Sequence, residues 1–275
     1  MMKLSGSLKR LINRLIHVLR IQIVMAKRYE GLKHSDGLYR KVQKISESLD
    51  ISESGKLVLI KNLEDSFSQL EQDLISLLVT NNLKGGYFVE FGAASGTSGS
   101  NTYLLEKKFG WAGILAEPAR IYRDDLLASR KCHVDFRCVY SESGQYLDFI
   151  ESKTTMLSTL AGFEKNDSLS KDRKVRKIYQ VETVSLNDLL IHYNAPNKIN
   201  YISIDTEGSE LEIISKLNFD DYTFDFLSIE HNSQAQEYLI ENFMDSKGYK
   251  RILRNYSQFD SWFVPNSFSN SAILC

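Results

Sequence analysis

Cysteine is scarce in this 275-residue chain, which holds only Cys132, Cys138 and Cys275. The number is odd and no two form a C-x-x-C pair. Neither a disulfide framework nor a zinc site is expected, and a reducing compartment fits. Long apolar runs are missing as well: none reaches the ~18 residues of a membrane span. The N-terminal stretch starts basic, but Asn13, Arg14, His17 and Arg20 interrupt its apolar positions, which argues against a secretory signal. Charge of one sign is not in excess. With 34 Lys+Arg against 35 Asp+Glu, the formal net charge is −1, so no global basic field points to nucleic acid. Internal repeats and low-complexity tracts are absent. What remains is 43% hydrophobic and 25% charged, ordinary for one large α/β domain with an appendage or for two modest domains.

Residues 8–26 place Leu8, Leu11, Ile12, Leu15, Val18 and Leu19 at helical spacing among Lys9, Arg10, Arg14 and Arg20. This is a basic amphipathic helix. Its apolar stripe is expected to pack on protein, either the main domain or a second subunit; the alternative is peripheral contact with an anionic membrane. The chain is accordingly expected in the cytoplasm, with the inner membrane surface as that helix's other destination. Residues 27–60 read as helix and linker, and 62–80 as one helix stopped by Asn81, Asn82, Gly85 and Gly86. Residues 1–84 thus form a helical extension, and 85–275 the main domain.

From 87 onward strands and helices alternate. Strands are expected at 87–92, 112–117, 133–140, 199–205 and 224–231, with a terminal pair at 249–255 and 260–264. Helices are expected at 99–109, 119–129, 209–217 and 234–247. Residues 145–151 alternate and suggest an extra strand, and 153–180 read as a polar segment with a basic cluster from Lys171 to Lys177. Ser185 and Asp188 fit a capping pattern for a helix at 186–193. Alternating β and α units imply a doubly wound, mostly parallel sheet. Ligands bind such sheets outside the carboxyl ends of the strands.

The stretch YFVEFGAASGTSGSN, from Tyr87 to Asn101, reads as a buried strand, a turn of small residues and a helix start. Small residues let backbone N–H groups approach a ligand closely. The acids and glycines that close the strands are Glu90 and Gly92, Glu117 before Pro118, Asp205, and Glu230 with His231 and Asn232. All should gather at one sheet edge. Glu117, about 25 residues after the turn, sits where an acid accepts hydrogen bonds from ribose hydroxyls. The turn G-A-A-S-G lacks the G-x-G-x-x-G of a pyrophosphate binder, and the strand acid would oppose a pyrophosphate. A cationic, ribose-bearing ligand fits better. S-adenosylmethionine is one, with Glu90 and Asp205 facing its amino-acid end.

From about Gly85 to Pro265 the chain resembles the FkbM family of S-adenosylmethionine-dependent methyltransferases. The matching pieces are FVEFGAASGTSGSNTYLLEKKFGWAGILAEP, VETVSLNDLL, INYISIDTEGSELEII and LSIEHN, in the family's order and spacing. The resemblance implies a seven-stranded, Rossmann-like class I methyltransferase fold with S-adenosylmethionine as cofactor. It also implies O-methylation of a hydroxyl on a sugar, glycan or related metabolite. Carried over by position, Glu90, Gly92, Ala93 and Gly96 match the cofactor loop, Ser100 and Asn101 the start of the first helix, and Glu117 with Pro118 the ribose site. Asp135 and Ser141 lie where such enzymes contact adenine. The chain departs from the family at Ala94 and Ser95, and at Val139-Tyr140-Ser141-Glu142.

Methyl transfer needs an oriented acceptor oxygen and a group to take its proton. The candidates are His231, Asp205 and Glu230, with Glu207 beside them. His231 has the ordinary pKa best suited to a base near neutrality. Asp205 with Glu230 or Asn232 offers oxygen ligands to a divalent cation, but chemistry without a metal is the expectation. Against the enzyme stands a second class of function: a catalytically silent methyltransferase-like module that binds a partner through its N-terminal helices.

Overall fold

The structure, a computed structural model, describes residues 36–49, 51–152, 158–163, 175–231 and 233–269. The expected helix at 8–26, most of the basic cluster at 171–177, Asn232 and Cys275 lie outside them. The helices in chain order are α1 (Asp36–Leu49), α2 (Glu53–Asn62), α3 (Gln72–Val79), α4 (Tyr103–Phe109), α5 (Arg123–Ser129), α6 (Leu186–His192), α7 (Glu210–Ser215) and α8 (Gln234–Ser246). The strands are β1 (Tyr87–Phe91), β2 (Ala112–Ala116), β3 (His133–Asp135), β4 (Cys138–Tyr140), β5 (Tyr146–Ser152), β6 (Thr159–Leu160), β7 (Val175–Ser185), β8 (Lys198–Ile204), β9 (Thr223–Glu230), β10 (Tyr249–Ile252) and β11 (Asp260–Pro265).

Seven strands form one sheet in the order β10-β11-β9-β8-β1-β2-β3. Only β11 runs against its neighbours; β3, β2, β1, β8 and β9 are parallel. The chain moves outward from β1 to β3, then returns to β8 on β1's other side. The switch point therefore lies between β1 and β8, where such a sheet opens a crevice.

Strands buried on both faces explain the near-continuous apolar runs read as strands. Phe88, Leu115, Tyr201, Phe226 and Trp262 face one layer, with Leu59, Leu74, Ile75 and Leu105 from α2, α3 and α4. Val89, Ile114, Ile202, Leu227 and Phe263 face the other, with Leu189, Ile213 and Ile240 from α6, α7 and α8. Each such side chain, fully buried, contributes roughly 1.5–3 kcal/mol. Val42 and Ile45 of α1 join the first layer, so the described helices before β1 share the main core.

Three local expectations change. The single helix at 62–80 is broken. Asp73 turns its carboxylate back onto Ser66 Oγ (2.7 Å) and the Phe67 N–H (3.2 Å), and Glu71 takes a left-handed backbone (φ 60°), so residues 66–71 form a loop. The single strand at 133–140 is two. The Asp135 carboxylate accepts from the Arg137 N–H (2.8 Å), turning the chain so that β3 stays in the main sheet and β4 leaves it. The polar segment at 153–180 ends in an eleven-residue strand, β7, the spine of a second sheet ordered β4-β7-β5-β6. The first half of β7 faces solvent, which is why Arg176 and Lys177 sit in a strand. The cap at Ser185 forms as expected: its Oγ accepts from the Asp188 N–H at 3.1 Å.

Candidate functional site

A cavity of about 370 Å³ opens at the carboxyl ends of β1, β2, β8 and β9. Its strand-end wall is Phe91, Gly92, Ala94, Glu117, Pro118, Asp205 and Glu230. The second sheet closes the opposite side with Cys138, Val139, Phe149 and Leu160, and Gln69, Glu207 and Phe259 also line it.

Gly92 is what lets the turn after β1 reach this position. Its φ is +71°, and a Cβ there would stand 1.9 Å from the Asp205 carbonyl oxygen, so no other residue lets the two strand ends approach so closely. The turn is also tied to β2, since the Gly92 N–H donates to the Ala116 carbonyl (3.1 Å). Glu117 bridges both loops: its carboxylate accepts from the Ala94 N–H (2.9 Å) and the Ala119 N–H (2.8 Å). Burial pushes its carboxyl up to about 7 against those two hydrogen bonds, and the charges of Glu90 and Glu151 add to the rise. A carboxylate can accept about four hydrogen bonds, so Glu117 keeps capacity for a ligand.

Several of the other expected cofactor residues lie behind the cavity wall. The buried Glu90 accepts from Ser100 Oγ (2.9 Å), the Asn101 N–H (2.7 Å) and Thr102 Oγ1. Asn101 Nδ2 in turn donates to Ser203 Oγ on β8 (2.9 Å). These residues anchor the turn instead of lining the cavity. So do Ala93, buried, and Gly96, whose carbonyl accepts from Arg130 (3.0 Å). Asp135 is engaged by Arg137, whose guanidinium donates to both carboxylate oxygens and holds the acid below its usual range despite burial. Neither Asp135 nor Ser141 lines the cavity, because the chain leaves the main sheet between β3 and β4.

At the other end, carboxylate oxygens of Asp205, Glu207 and Glu230 lie within 4.8 Å of one another. Burial raises the Asp205 carboxyl to about 7, and Glu230 is pushed well above its ordinary range by burial and by the charge of Asp205. A side-chain hydrogen bond joins them. Like charges this close favour one shared proton, and in that singly ionised state the pair can accept a second. These oxygens are also the described groups able to hold a divalent cation. His231 sits differently. It does not line the cavity, the charges of Glu237 and Arg251 act on it, and burial lowers its pKa.

Arg130 was not among the residues expected from sequence. Fully buried, it donates to Glu106 (2.6 Å), Ser100 Oγ (3.0 Å) and Thr102 Oγ1 (2.8 Å), and its guanidinium lies 3.8 Å from Glu90. It neutralises the acid buried in β1. Nothing local marks it, for its partners stand in three other segments. Gln69 was hidden in a stretch read as helix.

Residues 90–251, more than half of the chain, match the methyltransferase FkbM domain. The chain belongs to the FkbM methyltransferase family. It is thus an S-adenosylmethionine-dependent methyltransferase by family. No curated protein matches it. Among solved structures it is similar to a precorrin-6y C5,15-methyltransferase from Geobacter metallireducens (11% identity, 70% of this chain and 85% of that one, TM-score 0.38). It is also similar to a putative RNA methyltransferase from Pyrococcus horikoshii (11%, 70% and 81%, 0.34) and to the N-terminal domain of human METTL16 (12%, 77% and 79%, 0.36). These likenesses are loose, and the Rossmann-like class I fold rests on this chain's own strand order together with its family.

The residues present fit the family's donor. The described wall carries four carboxyl groups, from Glu117, Asp205, Glu207 and Glu230, and no cationic side chain, which suits a molecule bearing a sulfonium and an ammonium. Among the described residues no helix is long and apolar enough to cross a membrane.

Proposed function

We propose that this FkbM methyltransferase is an O-methyltransferase whose acceptor is a hydroxyl of a sugar, glycan or related metabolite. Bound S-adenosylmethionine supplies an electrophilic methyl group. Glu117 and Pro118 would hold its ribose end, with Gly92 and Ala94 beside them and Asp205 toward its amino-acid end. The acceptor hydroxyl then lies against Asp205 and Glu230. Once the pair is ionised it takes the hydroxyl proton as the oxygen attacks. Phe149, Leu160 and Phe259 exclude water on the facing side.

The observation that carries this reading is the hydrogen-bonded pair Asp205 and Glu230 in the wall shared with Glu117. A hydroxyl needs a proton acceptor, and here one stands in the same cavity as the ribose acid. His231, which does not line the cavity, yields that role to them. The test is transfer from methyl-labelled donor onto cell extracts split into lipid, polysaccharide and small-molecule fractions. Base-stable label in polysaccharide or small molecules, lost with Glu230→Gln, supports the reading. Base-labile or nitrogen-bound label overturns it, and failure of the protein to bind donor would favour the catalytically silent module.

A further inference from the structure

The segment leaving β2 carries Glu117 and Pro118 into the cavity, and the second sheet grips that segment from outside. Arg120 makes three contacts with β7. Its backbone N–H donates to the Tyr179 hydroxyl (2.9 Å), its guanidinium lies 4.2 Å from the centre of the Tyr179 ring, and its Nη2 donates to the Gln180 carbonyl (3.2 Å). The Tyr179 hydroxyl is oriented in turn. It donates to the buried Glu151 carboxylate (2.8 Å), which also lies 3.6 Å from Arg176. Behind it the ring packs on Phe149, a cavity residue (centroids 5.7 Å). Only one residue separates Arg120 from Pro118, and the N–H of that residue, Ala119, is one of the two that hold the Glu117 carboxylate.

We propose that Tyr179 is a positioning residue for the donor. By accepting from Arg120 and donating to Glu151, it fixes the segment after β2 so that Glu117 meets the ribose hydroxyls in one orientation. The second sheet thereby contributes to cofactor affinity as well as to the cavity wall. The hydroxyl is the required part. It is the one group there that accepts from a backbone N–H while donating to a carboxylate, which neither Phe nor a carboxylic side chain reproduces. This rests on the reading of Glu117 as the ribose acid.

Calorimetric titration of S-adenosylmethionine alone into the intact chain tests it, with Tyr179→Phe, Glu117→Ala and the double variant. Tyr179→Phe should weaken binding about fivefold, the worth of one hydrogen bond, and should add nothing in the Glu117→Ala background. Glu151→Gln, which keeps an acceptor for the hydroxyl, should stay within about twofold of wild type. Equal weakening in both backgrounds would make Tyr179 a general packing residue and overturn the proposal. So would a Tyr179→Phe variant that binds like wild type while Glu117→Ala is weakened. Indifference of binding to Glu117→Ala would instead overturn the ribose reading, and this proposal with it.

Discussion

Replacing Glu117 by Gln separates what this acid does for the fold from what it does for the donor. Burial lifts its carboxyl from 4.5 to about 7, a difference of about 3 kcal/mol between neutral and charged forms. The folded pKa is the raised one, so the stability this group contributes is intact below pH 4.5 and is lost as pH rises through 7. The amide carries no such penalty. It does lose one of the two backbone hydrogen bonds, from Ala94 or Ala119, at a cost of about 1–2 kcal/mol. E117Q should therefore be less stable than wild type at pH 5 and should equal or exceed it by pH 8.5. Donor affinity moves the other way. An ionised carboxylate accepting from two ribose hydroxyls is worth about 3 kcal/mol over the amide, about a hundredfold in Kd. Wild-type affinity should rise with pH through about 7 more steeply than that of E117Q, which keeps only the rise that comes with ionisation of Asp205. Urea unfolding and calorimetry between pH 5 and 8.5 read both effects. Equal donor affinity for the two proteins at pH 8.5 would refute the reasoning.

The remaining predictions concern the other parts of the site. Glu230→Gln should lower kcat by roughly 10²–10⁴ with donor affinity unchanged, in single-turnover assays on the acceptor once it is identified. Wild-type turnover should rise with pH through about 7 as the Asp205 and Glu230 pair ionises, which a pH–rate profile checks. Gly92→Ala sets a Cβ 1.9 Å from a backbone oxygen at φ +71°. It should lose more than about 1 kcal/mol of stability together with donor binding, in thermal melts with and without ligand. Arg130→Met leaves Glu90 and Glu106 without their buried cation and should cost about 3–5 kcal/mol in urea unfolding.

Much of the cavity was legible because its residues close strands whose apolar runs are plain. Gly92, Glu117, Pro118, Asp205 and Glu230 stand where strand-end logic places them. Glu90 was harder. An acid inside a buried strand reads as a ligand contact, but its partners are Arg130 and the 100–102 turn, and tertiary packing alone brings them together. The second sheet was largely hidden. Half of β7 faces water and carries charges, so neither alternation nor hydrophobicity announces it, yet it supplies Tyr179 and supports Phe149. The break at 66–71 was masked by apolar residues at helical spacing. Asp73 overrides them by binding Ser66 and Phe67, and so brings Gln69 into the cavity.

The central claim is that the cavity at the switch point between β1 and β8 holds S-adenosylmethionine, with its ribose on Glu117. A crystal structure of the intact chain with S-adenosylhomocysteine tests it most directly. The account predicts both ribose hydroxyls on the Glu117 carboxylate and the sulfur facing Asp205 and Glu230. Ligand bound elsewhere, or in the cavity with its ribose away from Glu117, would contradict it.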